Sequence, residues 1–432
     1  MAEILPFRGI RYDEGRGDAL ERVIAPPYDV ISPQDRDRFY GESDYNVIRL
    51  ILGKEFPEDD ERNNKYSRAA DFFQEWLKKG VLKEDEEPAI YVYEQEYFHK
   101  GKKKSRRGFL ALLKLEDFGS GGIFPHEETL SQPKKDRLNL LRVCWANLGP
   151  IFTLYSDPNR IVEGLLGEEK ETLIDVEDTK GERHKIKAIT SSEKIEGLKQ
   201  FLKNKEIYLA DGHHRYETAL NFRNEMRQKS SSYTGGEAYN YLMTYFTNMD
   251  DEGLLILPAH RLISKLKDLN IDELIKKLSP CFEITLLGPG EDELRKLLSS
   301  LEKRNEGEHL FGMYGAGRLY LLRLRDEAIL HKLMGGDKSW DWKKLDVTIL
   351  HQIILNGGLS GGKRLDEGKV DYLTDAEEAF RLVGRGKYQL AFFLNPPKVS
   401  QMRDIARVGE KMPGKATYFY PKLLTGLLMR KM

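Results

Sequence analysis

The chain lacks most of the features that mark extracellular, membrane-spanning or nucleic-acid-coating proteins. It has only two cysteines, Cys144 and Cys281, in 432 residues. That is too few for a disulfide framework and points to a reducing, cytoplasmic setting. No apolar run approaches the ~20 residues that cross a bilayer. The opening residues, through Ala2, Glu3, Ile4 and Leu5, show neither the basic region nor the apolar segment of a signal peptide. An excess of one charge is missing too. Lys and Arg number 69, Asp and Glu 70, and the net charge is −1. No global basic field therefore draws the protein to nucleic acid or acidic membranes. Internal repeats and low-complexity segments are absent. What is present is core material: 40% of the residues are hydrophobic. A chain of this length has room for about two to four domains.

One stretch organises the remainder. Ile207, Tyr208, Leu209 and Ala210 form a short apolar run that suits a buried strand. The run breaks at Asp211-Gly212, a turn signal. Ala219, Phe222 and Met226 then recur three and four apart, which predicts an amphipathic helix over 215–227. Asp211, His213, His214 and Arg215 thus crowd a strand-to-helix turn. Helix-initiating amides have no intrahelical partner, and with the dipole they favour an anion by roughly 0.3–1 kcal/mol. Gly212 admits close approach of a ligand to the backbone. Arg215 forks onto phosphate oxygens, with His214 beside it. Asp211 and His213 stand together at this turn as candidate catalytic groups. The competing reading is a plain Asp-Gly turn in which Asp211 caps the helix.

Other polar clusters flank apolar runs. Pro26-Pro27 stiffens a loop that is either a rigid connector or a platform presenting Tyr28 and Asp29 as substrate-binding groups. Ser32 caps a helix with Pro33 at its first position. Residues 46–52 read as a strand and 64–79 as a helix closed by Gly80. Residues 89–98 and 107–115 read as a hairpin. Its connection contains Lys100, Lys102, Lys103, Lys104 and Arg106, which is either a solvated tip or a nucleic-acid grip. A glycine-rich joint at 119–122 leads to His126, a general acid or base, and to Lys134 and Arg137, which suit phosphate. Residues 163–202 read as an edge hairpin plus a helix. The run 239–249 ends near Asp250, and 254–257 ends near His260 and Arg261. Ligands of open α/β sheets gather beyond strand ends, which makes these three substrate-binding candidates. Asp211, His213, His214 and Asp250 match no standard zinc spacing. Magnesium carried in with substrate phosphates is the better metal reading.

Toward the C-terminus, 345–355 reads as a helix. A strand over 370–373, a helix started by a Thr374–Glu377 capping box, a strand over 390–394 and a helix over 399–409 alternate as in α/β folds. Lys411, Lys415 and Lys422 stand among aromatics in the tail, either to close over an anion or as exposed ends.

The segments 23–32, 125–129, 210–219 and 413–422 resemble the DUF1015 family over nearly the whole chain. More broadly, Asp211-Gly212-His213-His214-Arg215 is similar to the signature of the ParB/sulfiredoxin-like superfamily, whose members include free-serine kinases and CTP-dependent partition proteins. The resemblance implies a mixed α/β (α+β) fold. A ParB/sulfiredoxin-like catalytic domain would span 1–260, with a β-rich insertion over 55–205, and a C-terminal α/β domain would span 261–432. It implies a small-molecule phosphotransferase with a Mg²⁺-dependent donor, here a free L-serine kinase making O-phosphoserine from ATP, ADP or pyrophosphate. Asp211 takes the catalytic Asp position of that signature. The upstream Glu of the kinases has three candidates, Glu3, Asp29 and Glu127. Two alternatives stay open: a nucleotide-gated DNA-binding scaffold and a phosphoester hydrolase.

Overall fold

The computed structural model describes residues 2–13, 15–129, 131–167 and 171–432. Two compact units divide the chain. One gathers Met1–Pro125, Thr129–Leu255 and Pro421–Met432; the other gathers His126–Glu128 and Ile256–Tyr420. The last twelve residues thus return to the first unit. Among the described residues no helix is long and apolar enough to cross a membrane.

The first unit is built on one mixed sheet. Its strands run in the order Ile123–Phe124, Ile207–Asp211, Ile151–Tyr155, Tyr241–Asn248, Lys102–Lys114, Ile90–His99, Arg183–Ile189 and Ile174–Glu177. Ile4–Leu5 pairs with the end of Lys102–Lys114, at Leu113 and Leu112. Strands from 55–205 therefore lie in the same sheet as the signature strand and flank it directly. Alternation along the strands buries Ile207 and Leu209 with Ile151 and Ile123, and the helix His213–Lys229 adds Tyr216, Ala219 and Leu220 to this core. Polar contacts fix that helix. Tyr216 donates its hydroxyl proton to the Glu116 carbonyl (2.8 Å), and Arg223 reaches the Leu115 carbonyl at 2.9 Å and Asp117 at 2.6 Å.

The second unit has a six-stranded sheet in the order Phe282–Leu287, Arg318–Leu324, Leu310–Gly315, Leu390–Phe393, His260–Ile263 and Val370–Leu373. Every pairing in it is antiparallel. Val370–Leu373 and Leu390–Phe393 flank His260–Ile263 on either side, so they run parallel to each other. The helix Ala376–Gly384 connects them, a split βαβ unit. This explains how a strand-helix-strand alternation resides in an antiparallel sheet. With both units, the fold is mixed α+β.

Several local expectations change. Residues 46–52 hold the helix Ile48–Ile51, not a strand. The buried Asn46 side chain donates to the Arg22 carbonyl (2.8 Å) and accepts from the Ile48 amide (2.9 Å). That Asx contact turns the chain where apolar content alone suggested extension. The helix read over 345–355 begins as Asp346–Ile349 and widens into a π-type helix over Leu350–Leu359. The cap of the helix Ala376–Gly384 is Asp375, whose carboxylate accepts from the Glu378 amide at 2.9 Å, and not Thr374. The hairpin and helix expected within 163–202 are Ile174–Glu177, Arg183–Ile189 and Ser192–Leu202; residues 168–170 of that stretch lie outside the described residues.

Gly108 sits in the central strand, where a Cβ would lie 2.2 Å from the Phe246 carbonyl oxygen and 2.7 Å from the Tyr245 hydroxyl. Because the nearest obstacle is backbone, Gly108→Ala is expected to destabilise the first unit by about 1–3 kcal/mol. Thermal unfolding followed by circular dichroism checks this; an unchanged Tm would show that the strand pairing gives way freely.

Candidate functional site

The signature strand Ile207–Asp211 pairs in parallel with Ile123–Phe124 and antiparallel with Ile151–Tyr155. Leu209 faces Thr153 and Asp211 faces Phe152, so Ala210 is accommodated as an extra residue. A bulge of this kind bends the strand and re-aims the side chain that follows. Gly212 comes next, with φ of +90°. A Cβ there would stand 2.8 Å from Ile151 Cγ2 and 3.1 Å from an Arg215 nitrogen, so conformation and space both require glycine. The helix begins at His213, two residues before the expected start, and its first turn holds both histidines.

Asp211 does not cap this helix. Its Oδ2 accepts from Lys422 Nζ at 2.7 Å, with both side chains mostly buried, Lys422 at 14% and Asp211 at 16% exposed. Burial alone would raise the Asp211 carboxyl pKa. The charges of Lys422, Arg215 and His213 outweigh burial and hold it well below the usual carboxylate range. Lys422 is itself positioned through its backbone. Gln95 Nε2 donates to the Lys422 carbonyl (3.0 Å) and Arg106 Nη2 to the Pro421 carbonyl (2.6 Å), while Arg106 also bonds Gln95 Oε1. Gln95 and Arg106 are fully buried, and the Arg106 guanidinium lies 4.7 Å from the Phe152 ring centre. Lys422 is therefore not an exposed end: it is mostly buried against Asp211. Gln95 and Arg106, which place it, had no sequence signal beyond their position in a hairpin.

Arg215 donates to the Pro150 carbonyl and, with Tyr28 and Arg137, lines a mostly apolar cavity of about 80 Å³. The Arg137 guanidinium lies 4.1 Å from the centre of the Tyr28 ring. Burial, with Asp29, pushes the Tyr28 hydroxyl up to about 12 against the pull of Arg137 and Arg215. Tyr28 is therefore a neutral donor at physiological pH. Arg137 is committed to protein acceptors: Nη1 to the Ile51 carbonyl at 2.7 Å and Nε to Asp136 at 2.9 Å. Burial would raise the Asp136 carboxyl, but Arg137, Lys65 and Tyr66 bring it to about 2. Arg137 thus supports Tyr28 more directly than it offers itself to phosphate. Lys134 donates to Glu217 at 2.7 Å, and Thr129 donates to the same carboxylate oxygen at 2.7 Å. Glu217 went unassigned in the sequence; it stands one helical turn after His213.

The cluster in the first unit therefore joins Asp211, Gly212, His213, His214, Arg215 and Tyr28, with Arg137 behind Tyr28 and Lys134 along the helix. Asp29 is exposed on the turn Tyr28–Val30. Asp250 is not part of the cluster. Its strand runs parallel to Ile151–Tyr155 and the signature strand runs antiparallel to it, so Asp250 and Asp211 lie beyond opposite ends of that strand. Asp250 instead accepts from Ser156 at 3.1 Å. His126, His260 and Arg261 belong to the second unit. His126 is buried, with Nε2 2.9 Å from the Thr417 hydroxyl. His260 is buried beside Phe393, and burial, with the Arg261 charge, lowers its pKa to about 3. Of the three upstream carboxylates, Glu3 is bound to Lys114 (2.7 Å) and Tyr241 (2.8 Å), and Glu127 lies in the second unit. Asp29 follows Tyr28 in the chain and acts on its hydroxyl.

The residues fit a phosphate-bearing ligand better than a resident metal. Among the described residues no group of three His, Cys, Asp or Glu donors forms around Asp211; cations and an uncapped helix start surround it instead. On the basic hairpin Lys103 pairs with Glu96 (3.1 Å) and Lys104 donates to the Glu252 carbonyl (3.0 Å).

Replacing Lys422 by Met removes the main opponent of burial at Asp211. The Asp211 carboxyl is then expected to titrate at higher pH in ¹³C NMR of the side chain, and stability at neutral pH to fall by on the order of 3 kcal/mol. In the native protein the folded pKa is depressed below the unfolded value of about 3.9. The pair's contribution is therefore full above that value and lost as pH falls through the folded pKa. An unmoved titration would show that Arg215 and His213 suffice.

Among solved structures, similarity is distant. A conserved hypothetical protein from Pyrococcus furiosus is 13% identical, with 69% of this chain and 87% of that chain covered and a TM-score of 0.32. A free serine kinase mutant in complex with ADP is 14% identical, with 69% and 84% covered and a TM-score of 0.35. SbnI with a C-terminal truncation, from Staphylococcus aureus, is 12% identical, with 73% and 85% covered and a TM-score of 0.36. Similarity at this level transfers no activity. No curated protein matches the chain. The model of the family described as protein of unknown function (DUF1015) matches residues 4–348 of the 432, and the chain belongs to that family.

Proposed function

We propose that this protein is a phosphotransferase acting on a small hydroxylated metabolite, with free L-serine as acceptor and ATP, ADP or pyrophosphate as donor. One observation carries the reading: a carboxylate kept ionised by Lys422 and Arg215 at the open start of a helix. Phosphoryl transfer asks chiefly for positioning and for positive charge around the equatorial oxygens. Arg215, Lys422 and the first helix amides, with Gly212 allowing close approach, supply that charge, and His213 and His214 stand beside them as hydrogen-bonding groups. The acceptor hydroxyl oxygen attacks the terminal phosphorus as its bond to the bridging oxygen breaks, and the leaving group retains the bridging oxygen. Magnesium arriving with the phosphates would lie against Asp211 and offset their charge.

A carboxylate held so far below its usual range is a weak proton acceptor, so Asp211 is assigned to positioning. Asp29, exposed beside Tyr28, is the carboxylate assigned to take the hydroxyl proton. The cavity of about 80 Å³ at Tyr28 and Arg215 suits a small metabolite; drug-sized ligands need roughly 300–1,000 Å³. His126, His260 and Arg261 are given no part in this step.

Purified protein is expected to convert L-serine to O-phosphoserine with at least one of the three donors. Asp211→Asn or Arg215→Met should lower kcat/KM by about 10²–10³. No product with any donor, or full activity in Asp211→Asn, overturns the reading. Release of phosphate without O-phosphoserine would instead mark a hydrolase.

A further inference from the structure

We propose that the second unit contains a binding site of its own, for an organic anion with an apolar or aromatic body. The starting point is Arg261, on the strand His260–Ile263 and only 1% exposed. Its hydrogen bonds go to neutral groups: the Ala259 carbonyl, the Lys415 carbonyl (3.3 Å) and His351 Nε2 (3.3 Å). The Tyr372 ring lies 5.3 Å from the guanidinium. Among the described residues no carboxylate pairs with Arg261. Buried charges are ordinarily paired, because removal from water is costly and only an opposite charge offsets it well. A guanidinium retained in this state leaves a positive field that a ligand can satisfy.

The contacts of Arg261 lead to a cavity. Its Nε–H donates to His351 Nε2, which makes that nitrogen the acceptor of a neutral ring and places the ring proton on Nδ1. Burial, with the charges of Arg261 and Arg364, keeps the ring neutral and lowers its pKa to about 3. His351 and Tyr372 both line a cavity of about 760 Å³. Its volume is that of a nucleotide-sized or acyl-sized molecule, well beyond inorganic phosphate. Lys277, Lys338 and Lys411 line it too, while the lining Arg364 is paired with Glu367. Against those three lysines stands one further lining carboxylate, Glu128. Trp342, with its indole N–H bonded to the Lys411 carbonyl (2.9 Å), gives the wall an aromatic surface.

The fold shapes this cavity through the π-type helix Leu350–Leu359, which contributes both His351 and the exposed Gly357. Short π segments recur at functional sites because the wider turn re-aims side chains. The anionic head, phosphate or carboxylate, is matched to the His351 Nδ1–H, the Tyr372 hydroxyl and the lysines. The apolar body is matched to Trp342. This site is independent of the reaction proposed for the first unit.

The test uses the full-length protein and 1-anilinonaphthalene-8-sulfonate, an aromatic anion that fluoresces when held out of water. Saturable binding at one site is expected, at least about tenfold weaker in Lys411→Glu and in Gly357→Phe, and unchanged in Asp211→Asn. Lys411 lines the cavity half-buried and holds Trp342 only through its backbone carbonyl, so its side chain can be replaced and the test survives if Gly357→Phe fails to fold. Displacement by AMP identifies a phosphate head and displacement by octanoate a carboxylate head; either supports the site. Absence of saturable binding, affinity unchanged in Lys411→Glu, or displacement by neither competitor overturns it.

Discussion

The ion pair between Asp211 and Lys422 is the constraint on which the first unit turns. A bulged strand delivers Asp211 to a largely buried position, and a carboxylate there requires positive charge. Arg215 is supplied locally by the helix that follows. Lys422 comes from 211 residues further along the chain. It can arrive only because Pro421–Met432 returns to this unit and because Gln95 and Arg106 capture the backbone at Pro421 and Lys422. Exposed ion pairs contribute about 0–1 kcal/mol, whereas breaking a buried one costs about 3–5 kcal/mol. At 14% and 16% exposure this pair lies toward the buried case. One electrostatic requirement therefore ties the signature turn, the long hairpin and the C-terminal segment together.

What was legible in the sequence was local. The apolar run from Ile207 to Ala210, the break at Asp211-Gly212 and the helical spacing of Ala219, Phe222 and Met226 each rest on the chemistry of neighbouring residues. The structure contains that strand, that turn and that helix. The bulge at Ala210 was not legible, because it exists only against the register of Ile151–Tyr155. The helix at Ile48–Ile51 was missed for a related reason: Asn46 turns the chain by binding carbonyls at Arg22 and Ile24, more than twenty residues upstream. Arg137 was read as a phosphate ligand from its residue type. Its actual partners, Asp136 and the Ile51 carbonyl, depend on tertiary packing.

The strand-end rule misplaced Asp250 for a more general reason. The rule describes open sheets whose strands are parallel, so that their C-terminal ends line one edge. In the first unit the sheet is mixed, and Tyr241–Asn248 and Ile207–Asp211 run in opposite directions about their shared neighbour. Strand ends near each other in sequence then lie at opposite edges. The alternating strands and helices near the C-terminus concealed the same distinction, since a split βαβ unit has the sequence pattern of a parallel fold and the pairing of an antiparallel sheet.

The charges near the signature turn and at Arg261 are held in different ways. Near the signature turn three partly buried carboxylates are each paired with a cation: Asp211 with Lys422, Asp136 with Arg137 and Glu217 with Lys134. The phosphate ligand proposed for this site would compete with or rearrange existing pairs, and Lys422 is the cation that would exchange a carboxylate for a phosphate oxygen. Arg261 is buried and bonded to neutral groups, as Arg430 of the first unit is; what sets Arg261 apart is that His351 and Tyr372, which lie against it, line a cavity. Packing does not account for a guanidinium there, since an apolar side chain of similar volume would fill the space at lower cost. Arg261 is better explained by what it does to His351 and Tyr372, fixing the tautomer of one and lying against the ring of the other. Both of those groups face a cavity large enough to admit a ligand.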